Sequence, residues 1–225
     1  FIYLRRFQTD LSAKDTFFAD IDEEFPEHDF RVFGREAQIA PITTREDKKR
    51  VWQTMGYFVC LTAAQSKKGV SYHRVTEIIF DEFIIEKGFN QYLPAEATTF
   101  LNFYVTVDRF KDKTKVFFLA NSVSITNPYF RKYNIKPDED GEFVVKEDGF
   151  IVAHFVDSED FGKSVYETRF GRFIAESDYA EYAVSNTFAD NHTNLITAKH
   201  PRARYAFTLE TKEGTFSLWH DMFES

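Results

Sequence analysis

Asp81 and Glu82 stand side by side at the end of the apolar run VTEIIF (75–80), and the chain returns at once to Phe83-Ile84-Ile85. Two like charges in that position are awkward to bury and call for a partner. One chemistry supplies it. An Asp at a strand tip can hold a magnesium ion, directly or through water, while the next Glu polarises a water for attack on a phosphate. The bland alternative is a solvated strand end. Asn121 adds a second polar group, closing the apolar run KVFFLA (115–120) about forty residues on. A nucleotide hydrolase keeps a residue sensing the γ-phosphate at that place; the bland alternative is an Asn capping a turn before Pro128.

P-loop ATPases pair such acids, the Walker B element, with Gly-x-x-x-x-Gly-Lys-Ser/Thr. Its backbone N–H groups wrap the phosphates and its lysine reaches the β/γ oxygens. The chain holds Gly162-Lys163-Ser164, but Asp157 stands where the first glycine is needed, and the segment follows the acids instead of preceding them. It reads as a helix start. The expectation is therefore that the phosphate loop lies upstream of Phe1, with only part of a catalytic site in the 225 residues.

Alternating strands and helices must position these groups. Phe1–Leu4 reads as a short strand ending at Arg5-Arg6, and Ser12–Phe25 as a helix with Phe17, Phe18, Ile21 and Phe25 on one face. Residues 28–33 and 36–42 form a hairpin turning at Gly34, and Trp52–Ala63 is a strand. Pro94-Ala95-Glu96 starts a helix that runs to Val107. KVFFLA has the continuous apolar character of a central parallel strand buried on both faces. A second hairpin turns at Glu147-Asp148-Gly149, and 158–176 is mostly helical. Residues 178–199 are polar and linker-like, and 205–209 with 215–219 form a hairpin opening another domain. The pattern argues for an α/β domain with a mostly parallel sheet flanked by helices, and ligands bind beyond the carboxyl ends of such strands.

The 27 phenylalanines and 18% aromatic content predict a core built on rings. A formal net charge of −8 gives no general nucleic-acid footprint, so any such contact must be local. Lys48-Lys49-Arg50 and Lys67-Lys68 are the local basic clusters that could meet DNA phosphates, or be plain solvated loops. A single cysteine, Cys60, in an apolar strand fits a reducing compartment and an inert buried thiol. No run approaches the roughly 18 apolar residues of a membrane helix. The six histidines show no metal-ligand spacing.

Five blocks then carry a specific resemblance: FIYLRR (1–6), EEFPEHDF (23–30), FDEFIIEKG (80–88), LANSVSITNPYF (119–130) and TRFGRFIAESDYAEYAVSN (168–186). In this order they resemble the DNA-packaging ATPases, or encapsidation proteins, of phi-twenty-nine-like podophages. The resemblance implies a P-loop ATPase of the additional-strand, catalytic-glutamate class, with hairpin insertions. Residues 1–177 would be the ATPase domain, 178–200 a linker and 201–225 the start of a β-containing C-terminal domain. It implies a homopentameric ring at the portal of a procapsid in the host cytoplasm, driving double-stranded DNA inward with ATP and Mg²⁺. A packaging RNA is left open as a further partner.

Residue by residue, the resemblance puts Asp81 on the magnesium acid, Glu82 on the catalytic glutamate and Asn121 on the coupling motif. Arg109 falls on the arginine that reaches a neighbour's nucleotide; alone it would read as a solvated helix-end arginine. Arg5 and Arg6 could contact nucleotide or a neighbour, or form a surface ion pair. Two other readings stand beside this one: a related ring ATPase pumping DNA in conjugation or chromosome segregation, and a non-catalytic interaction module.

Overall fold

The computed structural model describes residues 1–21, 23–42, 50–64, 72, 74–85, 91–121, 124, 126–136, 142–156, 159–175, 203–211 and 214–220. By its internal contacts the chain divides into two units, Phe1–Asp190 and Asn191–Ser225. Within the first, β1 (Ile2–Arg5), β2 (His28–Phe33), β3 (Glu36–Pro41), β4 (Gln53–Cys60), β5 (Glu77–Asp81) and β6 (Lys115–Leu119) form one sheet, in the order β2-β3-β4-β1-β5-β6. Strands β4, β1, β5 and β6 are parallel. Strands β2 and β3 attach as an antiparallel hairpin turning at Gly34, whose φ of 62° favours glycine.

The alternation of each strand sorts the core. Ile2, Leu4, Val59, Ile78 and Phe80 pack on one face against α2 (Glu96–Asp108) and α3 (Pro128–Tyr133), which follow the short α1 (Leu61–Ala64). Rings dominate there: Phe80 stacks on Phe100 at 5.8 Å and Phe100 meets Phe118 at 4.8 Å. The other face gathers Tyr3, Phe58 and Cys60 under Leu11, Phe17 and Phe18, and the Cys60 thiol is buried.

Two expectations fail here. The segment 12–25 is not a helix; 3₁₀ turns at Thr9–Leu11 and Lys14–Thr16 are followed by irregular turns. Short polar side chains compete for the backbone: Asp10 accepts the Phe7 N–H at 2.8 Å and Thr16 donates to the Ala13 carbonyl at 2.9 Å. The apolar spacing that suited an α-helix serves equally to press Leu11, Phe17 and Phe18 onto the sheet. The second failure is β6, which is an edge strand among the described residues and is buried on one side only. Val116 and Phe118 face the core, whereas Phe117 and Leu119 are 48% and 49% exposed. A continuous apolar run specifies a strand without saying what lies against its second face.

Beyond the sheet, β7 (Phe143–Lys146) pairs with β8 (Ile151–His154) around Gly149, with Val144 turned inward. Two short helices follow, α4 (Glu159–Tyr166) and α5 (Arg169–Ile174). In the second unit β9 (Arg204–Thr211) pairs antiparallel with β10 (Gly214–His220). The expected linker, 178–200, lies outside the described residues. Among those described, no helix is long and apolar enough to cross a membrane.

Candidate active site

Parallel pairing sets the tips of β5 and β6 side by side: Asp81 is in register with Leu119, and the Phe83 N–H donates to the Leu119 carbonyl at 3.2 Å. Asn121 stands two residues past that pair, exposed. Asp81, Glu82 and Asn121 thus share the carboxyl edge of the sheet. The partner that the acids call for sits on β1. Tyr3 and Arg5, two residues apart, point to the same face; the Tyr3 hydroxyl donates to Asp81 Oδ2 at 2.5 Å and Arg5 Nη1 donates to the same oxygen at 2.9 Å. Arg5 Nη2 reaches the Glu82 carboxylate. Burial and the hydrogen bond to Asp81 raise the Tyr3 pKa.

The site stays open to water: the side chains of Asp81 and Glu82 are 30% and 68% exposed. A hard cation such as Mg²⁺ takes one or two carboxylates and fills its shell with water and phosphate oxygens. Asp81 and Glu82 fit that donor set. They do not amount to an all-protein cage, and no group of three or more potential ligands is found among the described residues.

Arg6 takes the other face. It is 5% exposed, and its Nε and Nη2 grip the Glu96 carboxylate at 2.9–3.0 Å. Nη1 and Nη2 also donate to the backbone carbonyls of Glu82 (3.1 Å) and Phe83 (2.7 Å). Glu96 opens α2, where a carboxylate suits the helix dipole, and it accepts the Leu93 N–H and the Tyr129 hydroxyl, both at 2.8 Å. Every nitrogen of Arg6 is therefore engaged inside the protein, and it does not share the open edge with Arg5.

Arg109 lies at the far end of α2, past its last turn, with φ 55°. Buried Asp108 anchors that corner by accepting the N–H groups of Lys111, Asp112, Lys113 and Thr114. Burial would raise its pKa, but the N–H donors from Lys113, Asp112 and Thr114 overrule it and bring the value down to about 2. Since α2 starts beside Arg6 and ends beside the first residues of β6, Arg109 is separated from its own chain's acids by the length of the helix. It is exposed. The Gly162-Lys163-Ser164 triplet falls inside α4, and no phosphate loop forms there.

All 225 residues match the model of the family described as Podovirus DNA encapsidation protein (Gp16). The chain belongs to that family. The DNA packaging protein of Bacillus phage phi29 is 34% identical over 222 residues, 99% of this chain and 63% of that protein. The chain thus spans less than two thirds of the relative's length. Among solved structures, the N-terminal domain of the DNA packaging ATPase from bacteriophage phi29 is 36% identical, covering 71% of this chain and 76% of the other at a TM-score of 0.58. A chain of the bacteriophage phi29 viral genome packaging motor assembly is 33% identical, covering 98% and 64%, at a TM-score of 0.63.

Within this encapsidation family member, sequence reasoning singled out the acids but missed Tyr3, Glu96 and Tyr129. The signal for Tyr3 was its i, i+2 spacing from Arg5 on a strand. Glu96 gave itself away only as an acid in the first turn after Pro94. Of the basic clusters, Arg50 is described and forms an ion pair with Asp29, while Lys48, Lys49, Lys67 and Lys68 lie outside the described residues.

Proposed function

We propose that this chain is the ATPase part of a viral genome-packaging motor, coupling Mg-ATP hydrolysis to movement of double-stranded DNA into a preformed procapsid. The observation that carries the reading is the Asp81–Glu82 pair at the carboxyl end of β5, beside the tip of β6 that leads to Asn121. The unpaired outer edge of β6 among the described residues, with Phe117 and Leu119 uncovered, supports a further strand there, carrying the phosphate loop expected upstream of Phe1. Bound with ATP, magnesium would neutralise phosphate charge and be held by Asp81. Glu82 takes the proton of the attacking water, and Asn121 reads the γ-phosphate. Arg5 balances the acids and keeps a buried Nε–H without a partner among the described residues.

Arg109 serves a neighbour's nucleotide in a homomeric ring, making hydrolysis depend on assembly. The ring, taken as a pentamer, works at the portal vertex in the host cytoplasm, with residues 1–177 as motor, 178–200 as linker and 201–225 opening a further domain. The test uses the full-length protein with ATP and double-stranded DNA. Glu82→Gln should still bind ATP while turnover falls at least about a hundredfold; near-normal turnover sinks its role. Arg109→Ala should lose activity and regain it when mixed with Glu82→Gln subunits, and a mixture that stays dead removes the trans-acting arginine.

One observation favours a second reading. Arg5 and Tyr3 already compensate both acids, as a structural strand end in a non-catalytic module would require. A full-length protein that neither binds nor hydrolyses ATP selects it.

A further inference from the structure

We propose that the buried Arg6–Glu96–Tyr129 network is a positioning device for the Glu82 turn, coupling it to α3. The inference rests on the ATPase reading above and extends it to residues that touch neither nucleotide nor metal.

Glu82 itself holds φ 53°, a conformation that few non-glycine residues adopt and that the surroundings must hold. The turn is held at three points. Asp81 Oδ1 accepts the Glu82 N–H at 3.1 Å, the Phe83 N–H is tied to Leu119, and Arg6 takes both the Glu82 and the Phe83 carbonyls. The last grip is the one that can be aimed. A guanidinium is a planar fork, so fixing its orientation fixes the two carbonyls that it holds. Glu96 does the fixing from the opposite side, with no exposed side-chain surface of its own.

Glu96 is aimed in turn. Leu93 N–H holds one of its oxygens and the Tyr129 hydroxyl the other. Tyr129 is 1% exposed and belongs to Asn-Pro-Tyr-Phe, a motif that ATP chemistry alone leaves unexplained. Asn127 caps α3 by accepting the N–H groups of Tyr129 and Phe130, and its Nδ2 donates to the Ser124 carbonyl. Pro128 starts the helix at a position where its missing N–H costs nothing. The hydroxyl is therefore carried by α3, whose capping Asn127 is tied to Ser124, and a shift of α3 reaches Glu82 through three side chains.

A buried ion pair is weak as a stability device, because apolar packing of equal volume serves as well. Apolar packing could not hold two carbonyls. That distinction fixes the test, made in the full-length protein with steady-state ATP hydrolysis and binding of a fluorescent ATP analogue. Tyr129→Phe keeps the ring and removes only the aiming hydroxyl. It should lower kcat about tenfold and leave analogue affinity within about twofold. Glu96→Gln should move the same two readouts in the same directions. In a Glu82→Gln background, Tyr129→Phe should cause no further loss, because the group through which it acts is already disabled.

Full turnover in Tyr129→Phe, an equal fall in affinity and kcat, or additive losses in the double variant each overturn the positioning role. An unsubstituted protein without ATP hydrolysis overturns the ATPase reading and this inference together. Active unsubstituted protein with an unaffected Tyr129→Phe overturns only the latter.

Discussion

Arg5 and Arg6 are neighbours in the chain, and each sits with a carboxylate and a tyrosine hydroxyl, yet the two groups differ in almost every physical respect. Arg5 meets Asp81, Glu82 and Tyr3 at the open edge of the sheet, where one acid is two-thirds exposed. Arg6 meets Glu96, which in turn accepts the Tyr129 hydroxyl, and all three residues are at 5% exposure or less. The strand pleat sends adjacent residues to opposite faces, so one short stretch supplies both an exchangeable charge cluster and a fixed one. Water screens the first and lets its partners be replaced by a ligand. In the second, removing Arg6 or Glu96 strands a buried charge.

The largest effect that tests this contrast is expected from Arg6→Ala. It leaves Glu96 buried and unpaired, and chemical denaturation should register a loss of about 3–5 kcal/mol. A loss under about 1 kcal/mol would mean that Glu96 relaxes to water and the two clusters are alike. Tyr129→Phe comes next. Loss of a hydrogen bond to a charged acceptor should cost about 1.5–3 kcal/mol by the same measurement.

Both tyrosines also make the contrast pH-dependent. Burial leads the causes that raise each pKa, joined at Tyr129 by the Glu96 charge and hydrogen bond and at Tyr3 by the bond to Asp81. A raised pKa means that the folded state keeps the proton which the unfolded state releases above pH ~10, so each contribution is complete below that pH and declines as pH rises further. The alkaline decline should flatten more in Tyr129→Phe than in Tyr3→Phe; equal slopes would erase the distinction. Smallest of all is Arg5→Ala. Its partly exposed pairs should change stability by no more than about 1 kcal/mol, and a larger loss would class Arg5 with Arg6.

Much of the fold was legible. The hairpin at Gly34, the helix from Pro94-Ala95-Glu96 and the strand ending in Asp81-Glu82 all stand where local pattern put them, because turn chemistry, helix starts and apolar runs are encoded within a few residues. The failures also have a local cause. Residues 12–25 carry helical spacing, yet Thr16 and, just before the segment, Asp10 claim the backbone, and the sheet claims the rings. KVFFLA is apolar on both sides, yet only Val116 and Phe118 have a core to enter.

Residue order alone dictates that two carboxylates end a buried strand and that something must answer them. It also supplied the cations, two arginines in a row. Which arginine answers which acid is settled by the fold. Arg5 finds Asp81 across 76 positions of chain and Arg6 finds Glu96 across 90. The sheet order places β1 beside β5, and α2 covers one face alone, so the acids at the strand tip stay in water while Glu96 does not. Charge type is a property of the residue; its solvent and its partner belong to the fold.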